Sequence, residues 1–174
     1  MKTSYEERAK KFIRDIYPYI SFNLERHDFH NLDANVDRFC EQKHRRVRIA
    51  EGISRTVLIS SDYVVKMDRH LHPEDCSYGC SEGECRAYQA AVAAGFEYLL
   101  AKPTRYTYGV FTFYIMPRIR DIDPWRPEDD FYREFLSNEE LDWLDENIND
   151  LHSGNYGFVD GQPVMVDYAW NNFG

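Results

Sequence analysis

Asp150-Leu151-His152-Ser153-Gly154-Asn155 sets a carboxylate and a carboxamide five positions apart, and Asp167 follows across a turn at Asp160-Gly161. These are hard oxygen donors of the kind Mg²⁺ accepts. Phosphoryl transfer needs such groups, because it asks a protein for positioning and charge stabilisation rather than covalent chemistry. In that chemistry Asp150 would accept or orient the hydroxyl of a phosphate acceptor, while Asn155 and Asp167 would ligate Mg²⁺ on the nucleotide phosphates. Taken singly, each of the three has a structural explanation, since Asp and Asn satisfy turn backbone. The joint spacing is what points to chemistry.

The elements that must hold these residues are legible from periodicity. Ser137-x-x-Glu140 has capping-box form and opens a helix whose stripe is Leu141, Leu144 and Ile148, ending near Asn149. Residues 155–159 and 163–166 flank Asp160-Gly161, a pair that favours a tight hairpin turn. Upstream, Arg46 to Ala50, Thr56 to Ser60 and Tyr63 to Met67 read as three antiparallel strands, with turns at Glu51-Gly52 and Ser61-Asp62. Ser81-x-x-Glu84 starts an Ala-rich helix that stops at Gly95. Phe96 to Leu100, Thr104 to Tyr108 and Val110 to Met116 read as further strands, closed by Pro117. An amphipathic helix begins behind Ser4-x-x-Glu7 and is expected to stop at Pro18; residues 21–45 are mixed, with a short helix around Leu32 to Phe39. Asp121 to Asp130, rich in Pro and Asp, reads as a connecting loop and the best internal boundary. The class is α+β, and a chain of 174 residues with 43% hydrophobic content suits one domain.

The order helix, D-x-x-x-x-N, hairpin, Asp resembles the catalytic loop and metal-binding aspartate of protein kinases. The Asp-Leu-His-Ser-Gly-Asn wording is also similar to the aminoglycoside phosphotransferase branch, and most of all to the small serine/threonine kinase domain of lytic short-tailed bacteriophages. The resemblance spans about residues 46–170 and is specific at the C-terminal motif only. It implies a minimal protein-kinase-like fold within a single domain: a helical extension over 1–45, an N-lobe antiparallel sheet over 46–117 with an αC-like helix, and a truncated C-lobe over 118–174. It implies ATP and Mg²⁺ as cofactors. Val64-Val65-Lys66-Met67 resembles the third-strand motif, so Lys66 would reach the nucleotide phosphates and Glu84 would be its ion-pair partner, with Glu82 as the competitor. Gly52 falls where the phosphate-covering loop belongs and Met116 where the adenine-binding hinge belongs. His152 would support the loop rather than catalyse.

Departures from the pattern are definite. Glu51 to Thr56 holds one glycine where kinases have a glycine-rich loop, Ile148-Asn149-Asp150 replaces His-Arg-Asp, and Asp167-Tyr168-Ala169 replaces Asp-Phe-Gly. Only seven residues follow Asp167, so an activation segment is not expected. Two functions follow from the resemblance: a phosphotransferase acting on Ser or Thr of a host protein, or a catalytically silent kinase-like protein that binds and inhibits one.

The formal net charge of −9 argues against a groove that tracks phosphate backbones, so a nucleic-acid partner is not expected. No apolar run reaches the ~20 residues that cross a bilayer, and the N-terminus lacks a signal-peptide core; a cytoplasmic protein is expected, in the host cell if phage-encoded. His70, His72, Cys76, Cys80 and Cys85 form the one other cluster with ligand chemistry. They contain no Cys-x-x-Cys pair, so exposed imidazoles and small thiols are the simpler reading, with a structural Zn²⁺ staple as the rival.

Overall fold

The computed structural model describes residues 3–26, 28–29, 31–51, 55–69, 81–119, 131–149, 151 and 153–170. The architecture is mixed α and β, as expected. The chain divides into two compact units, the first drawn from Met1–Asp75 and Thr104–Arg118, the second from Cys76–Pro103 and Ile119–Gly174.

In the first unit, helices α1 (Tyr5–Arg26) and α2 (Leu32–Lys43) accompany five strands: β1 (Arg48–Glu51), β2 (Arg55–Ile59), β3 (Tyr63–Asp68), β4 (Thr104–Tyr108) and β5 (Phe111–Pro117). The strands form one antiparallel sheet in the order β1-β2-β3-β5-β4. Its core is the helix-covered face. Phe12, Ile13, Ile16 and Ile20 of α1 and Val36 and Phe39 of α2 pack against Leu58, Val65, Met67, Phe113 and Ile115. Side chains alternate across a strand, so the neighbouring positions Val57, Val64, Lys66, Tyr114 and Met116 take the opposite face.

Helix α1 does not stop at Pro18. It runs to Arg26 with Pro18 inside it. An interior proline costs about 3 kcal/mol, but the apolar stripe continues through buried Ile20 and Leu24, and burying each contributes roughly 1.5–3 kcal/mol. Buried Asn23 secures the helix end, donating to the Asp28 carbonyl and accepting from the Asn35 amide.

The second unit holds α3 (Ser81–Ala94), α4 (Asn138–Asn147), and two strand pairs, β6 (Ile148–Asn149) with β9 (Ala169–Trp170) and β7 (Tyr156–Val159) with β8 (Gln162–Met165). Ser137 caps α4 in a full capping box with Glu140. Tyr98 donates to the same Glu140 carboxylate at 2.7 Å; burial and then this hydrogen bond push its phenol up to about 12. Burial alone would raise the Glu140 carboxyl, but the hydrogen bonds from Tyr98 and Ser137 outweigh it and hold the acid below its ordinary value. The β7–β8 hairpin turns as expected, with Asp160 at φ 52° and Gly161 at φ 83°, the pair of left-handed residues a type I′ turn requires.

The segment 96–100 is not a strand. Helix α3 ends in a Schellman motif, Gly95 N–H to the Val92 carbonyl and Phe96 N–H to the Ala91 carbonyl. The chain then makes a 3₁₀ turn over Glu97–Leu99. Apolar alternation misled here because Phe96 and Tyr98 serve a ring cluster with Trp143 rather than a sheet. The loop expected over Asp121 to Asp130 lies outside the described residues.

Gly95 and Gly109 both have positive φ, but they differ in their surroundings. A Cβ at Gly95 meets nothing within 4 Å, whereas one at Gly109 would collide with the Tyr17 ring, whose hydroxyl accepts the Val110 N–H at 3.1 Å. Gly95→Ala is expected to cost about 1–2 kcal/mol from backbone strain alone. Gly109→Ala should cost at least about 1 kcal/mol more, read as a larger fall in denaturation midpoint; equal losses would discount the Tyr17 contact.

Candidate functional site

The motif residues of the second unit are placed mainly by backbone hydrogen bonds. Helix α4 delivers the chain to β6, and β6 pairs antiparallel with β9, matching Asn149 to Ala169. These two-residue strands clamp the start of the 150–155 segment to the residues just after Asp167. A 3₁₀ turn, Ser153–Asn155, then leads into β7. The Asn155 carbonyl accepts the Val166 N–H at 2.7 Å and the Asp167 N–H at 3.3 Å. Asn155 and Asp167 are therefore held side by side through the main chain. Asn155 is 7% exposed and Asp167 is half-buried. A side-chain amide and a carboxylate brought together this way can offer two hard oxygens to one divalent cation.

Tyr168 anchors the segment from the other side. It is 1% exposed, and its hydroxyl donates to the Ala101 carbonyl at 2.8 Å. Burial, followed by the negative charge of Glu84, Cys85, Tyr88 and Asp167, drives its phenol well above the usual range. The same electrostatic neighbourhood thus holds both Glu84 and Asp167. Glu84, in the first turn of α3, is fully buried, while Glu82 is only half-buried. Of the two glutamates weighed from the sequence, Glu84 is the inward one. A carboxylate in a helix's first turn is favoured by the macrodipole, which offsets part of the desolvation cost.

Lys66 and Met116 belong to the first unit. Lys66 lies on β3, opposite Val57 on one side and Tyr114 on the other, and is 3% exposed. Met116 lies on β5 opposite Val64, on the same face. That face is the one turned away from α1 and α2, and it combines a buried cation with the half-buried aliphatic side chains of Val57, Ile59 and Val64.

Asp150, Gly52, His152, His70, His72, Cys76 and Cys80 lie outside the described residues. Cys85 is half-buried in α3. Among the described residues, no group of three or more His, Cys, Asp or Glu could hold a metal ion. Likewise, no described helix is long and apolar enough to cross a membrane.

Two parts of this arrangement had no reading in the sequence. The β6–β9 pair is too short for any periodicity to register, and the Tyr168 to Ala101 bond joins residues 67 positions apart. The only local signal was an aromatic residue beside Asp167. No protein-family model matches the chain, and neither the curated proteins nor the solved structures contain a detectable relative.

Replacing Tyr168 with Phe keeps the ring and strands the Ala101 carbonyl. An unsatisfied buried acceptor costs about 1–3 kcal/mol, so Tyr168→Phe should lower the thermal midpoint measurably. An unchanged midpoint would show that water reaches Ala101.

Proposed function

We propose that the chain is an ATP- and Mg²⁺-dependent phosphotransferase with a minimal protein-kinase-like fold, resembling the serine/threonine kinases of lytic short-tailed bacteriophages and acting on a host protein in the host cytoplasm. The observation that carries this reading is the backbone tie between Asn155 and Asp167. It brings together, across the Asp160-Gly161 hairpin, the two residues that the resemblance assigns to Mg²⁺.

In this reading Asn155 and Asp167 carry the metal on the nucleotide phosphates, and Asp150 orients the acceptor hydroxyl as its general base. Lys66 neutralises phosphate charge. Its place on the sheet face opposite α1 and α2, beside Val57, Val64 and Met116, suits a ligand with an anionic end and a flat apolar end. Glu84, fully buried in the first turn of α3, would balance a cation. Gly52 is the one glycine in the segment that the resemblance sets over the phosphates, so nucleotide binding is expected to be weak.

That lone glycine also favours a second reading, in which the fold is retained without catalysis and the acidic surface binds and inhibits a host protein. The two are separable. Mg·ATP at millimolar concentration should raise the melting temperature, because a ligand that binds only the folded state stabilises it. Labelled γ-phosphate should transfer to the protein itself or to a host extract, and Asp150→Ala and Asp167→Ala should each reduce transfer at least about a hundredfold. Absence of a nucleotide-induced shift would refute both the metal and the lysine assignments. A shift without transfer, together with capture of one host protein, would select the silent form.

A further inference from the structure

Lys43, His44, Arg45, Arg46 and Arg48 place five basic side chains in six positions, and all five are exposed. The geometry is set by the end of α2. Lys43 is its last residue, His44 turns the chain at φ 51°, and the Arg45 N–H closes on the Cys40 carbonyl. Lys43 has a local role, since a cation in a last turn interacts favourably with the negative end of the helix dipole. Arg45, Arg46 and Arg48 lie beyond that turn and lead directly into β1.

None of the five makes an ion pair among the described residues, whereas Arg8, Lys10, Lys11, Arg69 and Arg133 each find a carboxylate. Four permanent cations are thus concentrated at one corner of a chain whose net charge is −9. The strand they introduce is a sheet edge, because β1 pairs only with β2 among the described residues. An edge strand presents a row of N–H and C=O groups to any extended chain that can approach it.

Charge decides which chains can approach. A row of arginines repels basic strands and leaves apolar ones facing solvated charge, yet it attracts a strand with carboxylates on alternate positions. Length decides between acidic protein and nucleic acid. Six extended residues span at most ~20 Å, which a short acidic peptide matches, whereas a longer polyanion carrying a charge every ~3.4 Å would run onto the remaining, net acidic surface.

We propose that edge strand β1, with its basic lead-in from Lys43 to Arg48, docks an acidic extended segment of a partner protein as an added strand. The surface belongs wholly to the first unit, so this inference stands whether or not the phosphotransferase reading does. If that reading also holds, acidic proteins become the class of substrate recruited.

A fluorescein-labelled peptide alternating Glu and Val, titrated by anisotropy without nucleotide, tests it. Binding should weaken about tenfold between ~50 and ~200 mM salt. It should fall at least tenfold in both Arg45→Glu/Arg46→Glu/Arg48→Glu and the milder triple substitution of the same arginines to Gln, with melting temperatures unchanged. A control with the same charge change elsewhere, Arg26→Glu/Arg86→Glu/Lys102→Glu, should bind as the parent does. Equal loss in the control, no binding at either salt, full retention in both arginine triples, or tighter binding of a single-stranded oligonucleotide than of the peptide would each overturn the proposal.

Discussion

A single carbonyl organises the second unit. The Asn155 main-chain oxygen receives N–H groups from both Val166 and Asp167, so both lone pairs are used in joining the entry of one hairpin strand to the exit of the other. Without this junction the Asp160-Gly161 hairpin would still form, because its turn chemistry is local. What would be lost is the relation between the 150–155 segment and Asp167. The side-chain chemistry proposed for Asn155 and Asp167 thus depends on a contact that involves neither side chain.

Burial around Tyr168 makes the same segment sensitive to charge. Glu84 is fully enclosed, and Tyr168 beside it is pushed strongly toward the neutral form, first by burial and then by the surrounding negative charge. The phenol therefore acts as a hydrogen-bond donor to the Ala101 carbonyl and adds no further anion beside Glu84 and Asp167. Phe in this position would fill the space but supply no donor. The hydroxyl thus ties Asp167's successor to the connection between α3 and β4, a bond that an Asp-Phe-Gly segment could not make.

Much of the fold was legible because its signals are local. The β1, β2 and β3 segments, α3 with its Gly95 stop, the Ser137–Glu140 cap and the Asp-Gly hairpin all follow from propensity, capping and turn residues within a few positions. The failures came where tertiary burial outweighed a local signal. Pro18 reads as a stop, and it would be one in an isolated helix, but Ile20 and Leu24 gain more from the sheet than the proline costs. Phe96 to Leu100 reads as a strand by alternation, and only the ring cluster around Trp143 shows why it is not one. In the candidate site, the Asn155 and Asp167 pair could be expected from resemblance, while the β6–β9 clamp could not, since two-residue strands carry no periodicity.

The basic run at the α2–β1 connection shows a different limit. A net charge of −9 argues against a groove that tracks phosphate backbones, but it is an average over the whole chain. Electrostatic attraction, however, is decided within about a Debye length, roughly 8–10 Å at ordinary salt, and in the sequence around β1 the four permanent cations from Lys43 to Arg48 outnumber the flanking Glu41 and Glu51. The acidic remainder sharpens the effect, because it penalises any ligand that extends beyond the corner and so favours a short segment over a long polyanion. Edge exposure and local charge then act on the same strand: the backbone offers generic pairing, and the arginines restrict who may use it.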